Sequence, residues 1–103
     1  MTWYFYIVYF FAGAFLANSV PHLVNGVSGQ KFPSPFAHPP GKGSSTPTVN
    51  VLWGFANFVI GYLLISCFGS FNPGLSFDSL AVLIGALILA IQLSIAFGKR
   101  KKR

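Results

Sequence analysis

Three long stretches of this chain contain no Asp, Glu, Lys or Arg: residues 1–30, 43–77 and 79–98. Soluble domains carry about 25% charged residues, whereas this chain is 8% charged and 53% hydrophobic. A helix needs about 20 apolar residues to cross a bilayer, and each stretch is long enough to hold one. The composition therefore excludes a water-soluble globule. It predicts an all-α membrane protein with a single transmembrane domain over residues 1–103.

Changes in composition along the chain indicate where three transmembrane helices begin and end. The expected helices cover about residues 2–24, 49–71 and 77–97. Residues 25–48 contain five prolines and four glycines, which predicts a loop that is either functional or disordered. The turn Asn72-Pro73-Gly74 leaves only a short link. Helices 2 and 3 are therefore expected to form a tight antiparallel hairpin within a small bundle, followed by a basic tail at 98–103.

The basic residues predict an orientation. Two crossings separate the loop from the tail, so both lie on one side, and that side holds every basic residue: Lys31, Lys42, Lys99, Arg100, Lys101, Lys102 and Arg103. The positive-inside rule then places the loop and the C-terminus in the cytoplasm and the N-terminus outside.

We expect insertion in the cell (inner) membrane, a tail at 99–103 that binds anionic lipid headgroups, and no nucleic-acid partner. A cleaved signal peptide is disfavoured because the N-terminus lacks a basic region.

Larger polar side chains fall in the cytoplasmic half of the predicted spans. They are Asn18, His22, Asn50, Asn57 and Gln92. Polar groups at membrane depth turn toward protein partners or water. Two interpretations stay open: these groups hold helices or protomers together, or they line a polar vestibule that opens to the cytoplasm beneath the loop. Two interpretations of His22 also stay open: it forms a hydrogen bond at a helix end, or it carries protons.

Small residues at helical spacing predict where helices pack. They are Gly54, Gly61, Ala81, Gly85, Ala86 and Ala90. Such residues let helix backbones approach closely, within one chain or between chains. The sequence brings no nucleophile, base and orienting group together and shows no metal-ligand spacing, so we expect no enzymatic activity, no metal and no cofactor.

Three segments crowded with Asn, Pro and aromatic residues carry a resemblance to a known family. They are Asn18-Ser19-Val20-Pro21-His22, Phe32-Pro33-Ser34-Pro35-Phe36 with Pro39-Pro40-Gly41, and Asn50-Val51-Leu52-Trp53-Gly54. Residues 18 to about 64 resemble small, uncharacterised bacterial integral membrane proteins. The resemblance implies a bacterial inner-membrane setting and no activity.

The combined expectation is a non-enzymatic multi-spanning membrane protein. It would act as an accessory or assembly subunit of a larger membrane protein, or as a homo-oligomer. The alternative is a small transporter or channel component with the polar residues in a cytoplasm-facing vestibule.

Overall fold

A computed structural model describes residues 3–40 and 43–101 of the chain and contains three helices. They are α1 (Tyr4–Val27), α2 (Pro47–Cys67) and α3 (Phe77–Lys101). Each is long and apolar enough to cross a membrane, so the prediction of an all-α chain with three long apolar helices is confirmed. Helix α3 continues past the expected end at residue 97 into the predicted basic tail. Lys42, Lys102 and Arg103, which the sequence assigned to the loop and the tail, lie outside the described residues.

Local chemistry explains where α2 begins and ends. Pro47 occupies the first turn, where its missing N–H leaves no carbonyl unpaired. The Thr46 hydroxyl accepts a hydrogen bond from the backbone N–H of Val49 at 3.2 Å and so caps the helix. At the other end Phe68 is extended and Gly69 has a φ of 62°, a left-handed conformation that glycine adopts without a steric cost. The helix therefore ends at Cys67, before the expected boundary at residue 71.

Helix α1 is the central helix. It packs against both α2 and α3, whereas α2 and α3 make no contact with each other within the described part of the chain. The tight hairpin of helices 2 and 3 is therefore not confirmed. The link after α2 is instead held to α1, because the Tyr9 hydroxyl donates a hydrogen bond to the Phe68 carbonyl oxygen and the Tyr9 ring packs edge-on against Phe71. The link therefore contacts α1 before α3 begins.

Two glycines explain why α1 and α3 pack so closely. A Cβ atom at Gly13 would overlap the carbonyl oxygen of Val82, and a Cβ atom at Gly85 would overlap the carbonyl oxygen of Phe10. Each helix therefore places its backbone against a glycine of the other, and both glycines are buried. Any larger residue at either position would force the two helices apart.

Glycines also form the contact between α1 and α2. A Cβ atom at Gly54 would lie 3.1 Å from the Ser19 carbonyl oxygen, and one at Gly61 would lie 3.0 Å from the Ala12 carbonyl oxygen. Gly54 and Gly61 are both buried. The small α3 residues that the sequence singled out differ from one another: Ala81 and Ala86 are half-buried, whereas Ala90 is exposed.

The loop between α1 and α2 folds back onto the end of the bundle. Phe32 and Ser45 form an antiparallel bridge, with the Ser45 N–H 2.9 Å from the Phe32 carbonyl oxygen. The hydroxyls of Ser34 and Ser45 share a hydrogen bond, and both residues are buried. The Phe32 ring also contacts the Phe97 ring of α3, with centroids 4.6 Å apart. The loop thus connects the C-terminal ends of α1 and α3 with the start of α2.

Candidate functional site

Four of the five polar side chains singled out by the sequence meet where α1, α2 and the loop converge. Asn50 and Asn57 are 0% and 1% exposed, and His22 is 4% exposed. Asn18 is half-buried beside them. We call Asn18, His22, Asn50 and Asn57 the polar network. Its position beneath the folded loop agrees with the interior face that the helical spacing predicts.

Asn50 is the centre of the polar network. Its amide nitrogen, Nδ2, lies 3.0 Å from the Phe32 carbonyl oxygen, 3.2 Å from that of Ser45 and 3.1 Å from that of Thr46. Its amide oxygen, Oδ1, lies 2.7 Å from Nδ1 of His22. The two N–H groups of Nδ2 are shared among these three carbonyl oxygens, so Oδ1 is the acceptor toward the imidazole and His22 Nδ1 carries the proton. One side chain thus joins α1, the loop and the first turn of α2.

Asn18 and Asn57 form a second link between the same helices. Nδ2 of Asn18 donates to Oδ1 of Asn57 at 3.0 Å. Nδ2 of Asn57 in turn donates to the Trp53 carbonyl oxygen at 2.8 Å. Both amide groups of the pair are therefore engaged inside the protein, which a buried amide requires in order to offset the loss of water.

Aromatic rings enclose His22. The Phe32 ring of the loop lies nearly perpendicular to the imidazole at a centroid distance of 5.4 Å, and the Trp53 ring of α2 lies at 6.4 Å. Phe36 of the loop covers Trp53 with centroids 5.3 Å apart. The Trp53 indole nitrogen, Nε1, is buried and has no hydrogen-bond partner among the described residues. An unpaired buried donor costs about 1–3 kcal/mol.

Gln92 does not join the polar network. It lies exposed on α3, and α3 does not contact α2, which supplies Asn50 and Asn57. Of the residues predicted to meet lipid headgroups, Lys99 is exposed near the end of α3; Arg100 and Lys101 belong to the last turn of that helix.

Sequence reasoning missed the loop's contribution to the network. Phe32, Ser45 and Thr46 act through backbone carbonyl oxygens, which every residue type possesses, so their side chains give no signal. Within residues 3–40 and 43–101, no three His, Cys, Asp or Glu side chains come close enough to share a metal ion. The chemistry that this arrangement performs is hydrogen bonding between two helices and a loop.

No family model, curated protein or solved structure matches this chain. That result is consistent with the resemblance to a family of uncharacterised proteins, and a bacterial source stays a prediction.

Proposed function

We propose that this chain is a non-enzymatic membrane subunit that assembles with a larger membrane protein or with copies of itself. The observation that carries the proposal is Asn50, whose amide forms all its hydrogen bonds to His22, to the loop and to its own helix. An amide whose hydrogen bonds are all made within the protein holds the structure together and has no unpaired group left to bind a solute. The polar network would then be a clamp that keeps α2 and the loop on α1.

The surface of α3 supports an assembly role. Of the residues in the apolar stretch of α3 only 6% are buried within the described chain, compared with 28% for α1 and 22% for α2. Among the described helices only α1 packs against α3, so the other faces of α3 are largely open to lipid or to helices of another subunit. Those faces carry large aliphatic side chains: Leu83, Leu87, Ile88, Ile91 and Ile95.

Particle mass and crosslinking test the assembly proposal. We expect the detergent-solubilised intact chain to have a protein mass of at least two chains, or to lose a co-purifying subunit on harsher extraction. A photo-crosslinking residue at exposed Leu87 should form protein adducts in native membranes. The matched control is Val82, which is half-buried and belongs to the part of α3 that packs on α1, and which should give fewer adducts. A particle of one chain together with lipid-only adducts at Leu87 would contradict the proposal.

We further propose the orientation with the N-terminus outside and the C-terminus in the cytoplasm of the cell membrane. The contact between Phe32 and Phe97 brings the loop to the end of α3, so Lys31 and Lys99 lie at the same end of the bundle. The single acidic residue, Asp78, begins α3 at the other end. The positive-inside rule favours the basic end in the cytoplasm, where the tail would contact anionic lipid. A cytoplasmic reporter fused after Arg103 should be active, and a reporter that works only after export should be inactive.

One observation favours the alternative, a transporter or channel component. The Trp53 ring lies 6.4 Å from the His22 ring, next to the polar network, and its indole N–H has no hydrogen-bond partner among the described residues. This N–H could offer a solute one hydrogen bond. The variants His22→Phe and Asn57→Leu separate the two functions. If the polar network is a clamp, both variants should unfold more readily and lose their association. If it lines a vestibule, both should stay folded and associated while transport is lost.

A further inference from the structure

A cavity of about 970 Å³ lies at the end of the bundle opposite the polar network. Its walls come from the first turn of α1, from the link after α2 and from the start of α3, with Tyr6, Ser70 and Asp78 as examples. Small-molecule sites have volumes of about 300–1,000 Å³, so the cavity is large enough for a lipid headgroup and the first part of its chains. None of the residues of the polar network lines it.

The lining changes from polar to apolar along α3. Asp78 and Ser79 lie at the start of the helix, while Leu83 lies five residues further on, which is about 7.5 Å along the axis. Phe5 of α1 adds a second apolar wall. A cavity with a polar mouth and an apolar wall parallel to a membrane-spanning helix suits an amphiphile whose headgroup lies at the membrane surface.

Asp78 gives the mouth of the cavity its charge. It is the only acidic residue in the chain. Its Oδ2 accepts a hydrogen bond from the Asn72 backbone N–H at 2.9 Å, whereas no described residue donates to Oδ1. The described basic side chains, Lys31 and Lys99, lie at the opposite end of the bundle. The carboxylate therefore faces the cavity without a cation from the described residues.

We propose that this cavity binds a membrane amphiphile with a primary ammonium headgroup, specifically a phosphatidylethanolamine. The ammonium N–H groups donate to Oδ1 of Asp78, and the aromatic rings of Tyr6 and Phe77 in the lining add a favourable field for a cation. The acyl chains lie along Phe5 and Leu83. Charge complementarity selects this headgroup over an anionic one, because a lone carboxylate repels a net negative charge.

Lipid competition tests the site directly. The intact purified chain is incubated with equal amounts of dioleoyl phosphatidylethanolamine and dioleoyl phosphatidylcholine, which differ only in the headgroup, and native mass spectrometry counts the lipids retained. The choline lipid carries the same positive charge but has no N–H to donate, so the hydrogen bond from the ammonium to the Asp78 carboxylate favours the ethanolamine lipid by about fivefold. Asp78→Asn keeps one oxygen acceptor for the Asn72 N–H and replaces the other oxygen by an NH2 group, which cannot accept from the ammonium. Its retention of the two lipids should therefore become equal. The matched control, Ser94→Ala at an exposed position near the other end of α3, should keep the preference.

A second measurement needs no variant and therefore does not depend on Asp78→Asn folding correctly. Wild-type retention should fall stepwise as the ammonium is methylated once, twice and three times, because each methyl group replaces an N–H donor. Equal retention of all four lipids, or a preference that survives in folded Asp78→Asn, would overturn the proposal. Both readouts are independent of the oligomeric state, so they fail or succeed separately from the proposed assembly function.

Discussion

Replacing Gly85 by alanine tests the packing of α1 against α3. The added Cβ atom would overlap the carbonyl oxygen of Phe10, which belongs to the backbone of α1 and cannot rotate away. Gly98 provides a matched control on the same helix, because a Cβ atom there would meet nothing within 4 Å. The two variants make the same chemical change on α3, and they differ in whether α1 lies against the new methyl group.

The expected difference follows from two terms. Alanine has a higher helix propensity than glycine by about 1 kcal/mol, and this gain is similar at both positions, so it cancels in the comparison. What is left is the cost of overpacking at Gly85, which is about 1–3 kcal/mol in a close-packed interior. The free energy of unfolding of Gly85→Ala should therefore be about 1–3 kcal/mol lower than that of Gly98→Ala.

Equilibrium unfolding in mixed micelles measures the difference. The intact chain is reconstituted in a mild detergent and titrated with a denaturing one, and helix content and Trp fluorescence report the transition. Gly13→Ala should behave like Gly85→Ala, because its Cβ atom would overlap the Val82 carbonyl oxygen. Equal unfolding free energies for Gly85→Ala and Gly98→Ala would refute the close contact between α1 and α3.

Two further predictions concern the polar network. Asn50→Leu removes the NH2 group that three carbonyl oxygens share. Each buried carbonyl left unpaired costs about 1–3 kcal/mol, so amide hydrogen exchange at Ser45 should become faster by about tenfold. Unchanged exchange would contradict the role of Asn50 in holding the loop. Alanine substitutions at Asn18 and Asn57 should show a coupling energy of about 0.6 kcal/mol and at most about 1.7 kcal/mol, whereas the control pair Asn18 and Gln92 should show none. A coupling of zero for Asn18 and Asn57 would contradict the hydrogen bond between them.

The polar face of α2 could be predicted because helical periodicity is a local property. The spacing of Asn50, Gly54, Asn57 and Gly61 places them on one side of a helix, and the structure buries the same four residues. Burial on α3 follows the helical spacing at fewer positions. Of its predicted small and polar residues only Gly85 is buried, because burial on α3 depends on which helix lies against it.

Hydrophobic length by itself determined that this chain forms three long apolar helices. A charge-free run of about 20 residues matches the length of a transmembrane helix, which pairs almost every backbone N–H and C=O within the segment. That requirement needs no knowledge of distant residues.

Only the tertiary structure decided which helices are neighbours and what the loop does. The short link after α2 suggested a hairpin with α3, but Gly13 and Gly85 allow α3 to lie closer to α1. The loop's prolines and glycines gave no sign that its carbonyl oxygens would accept hydrogen bonds from Asn50. Both outcomes depend on backbone atoms from distant parts of the chain meeting in space, and backbone atoms carry no residue-specific signal in a sequence.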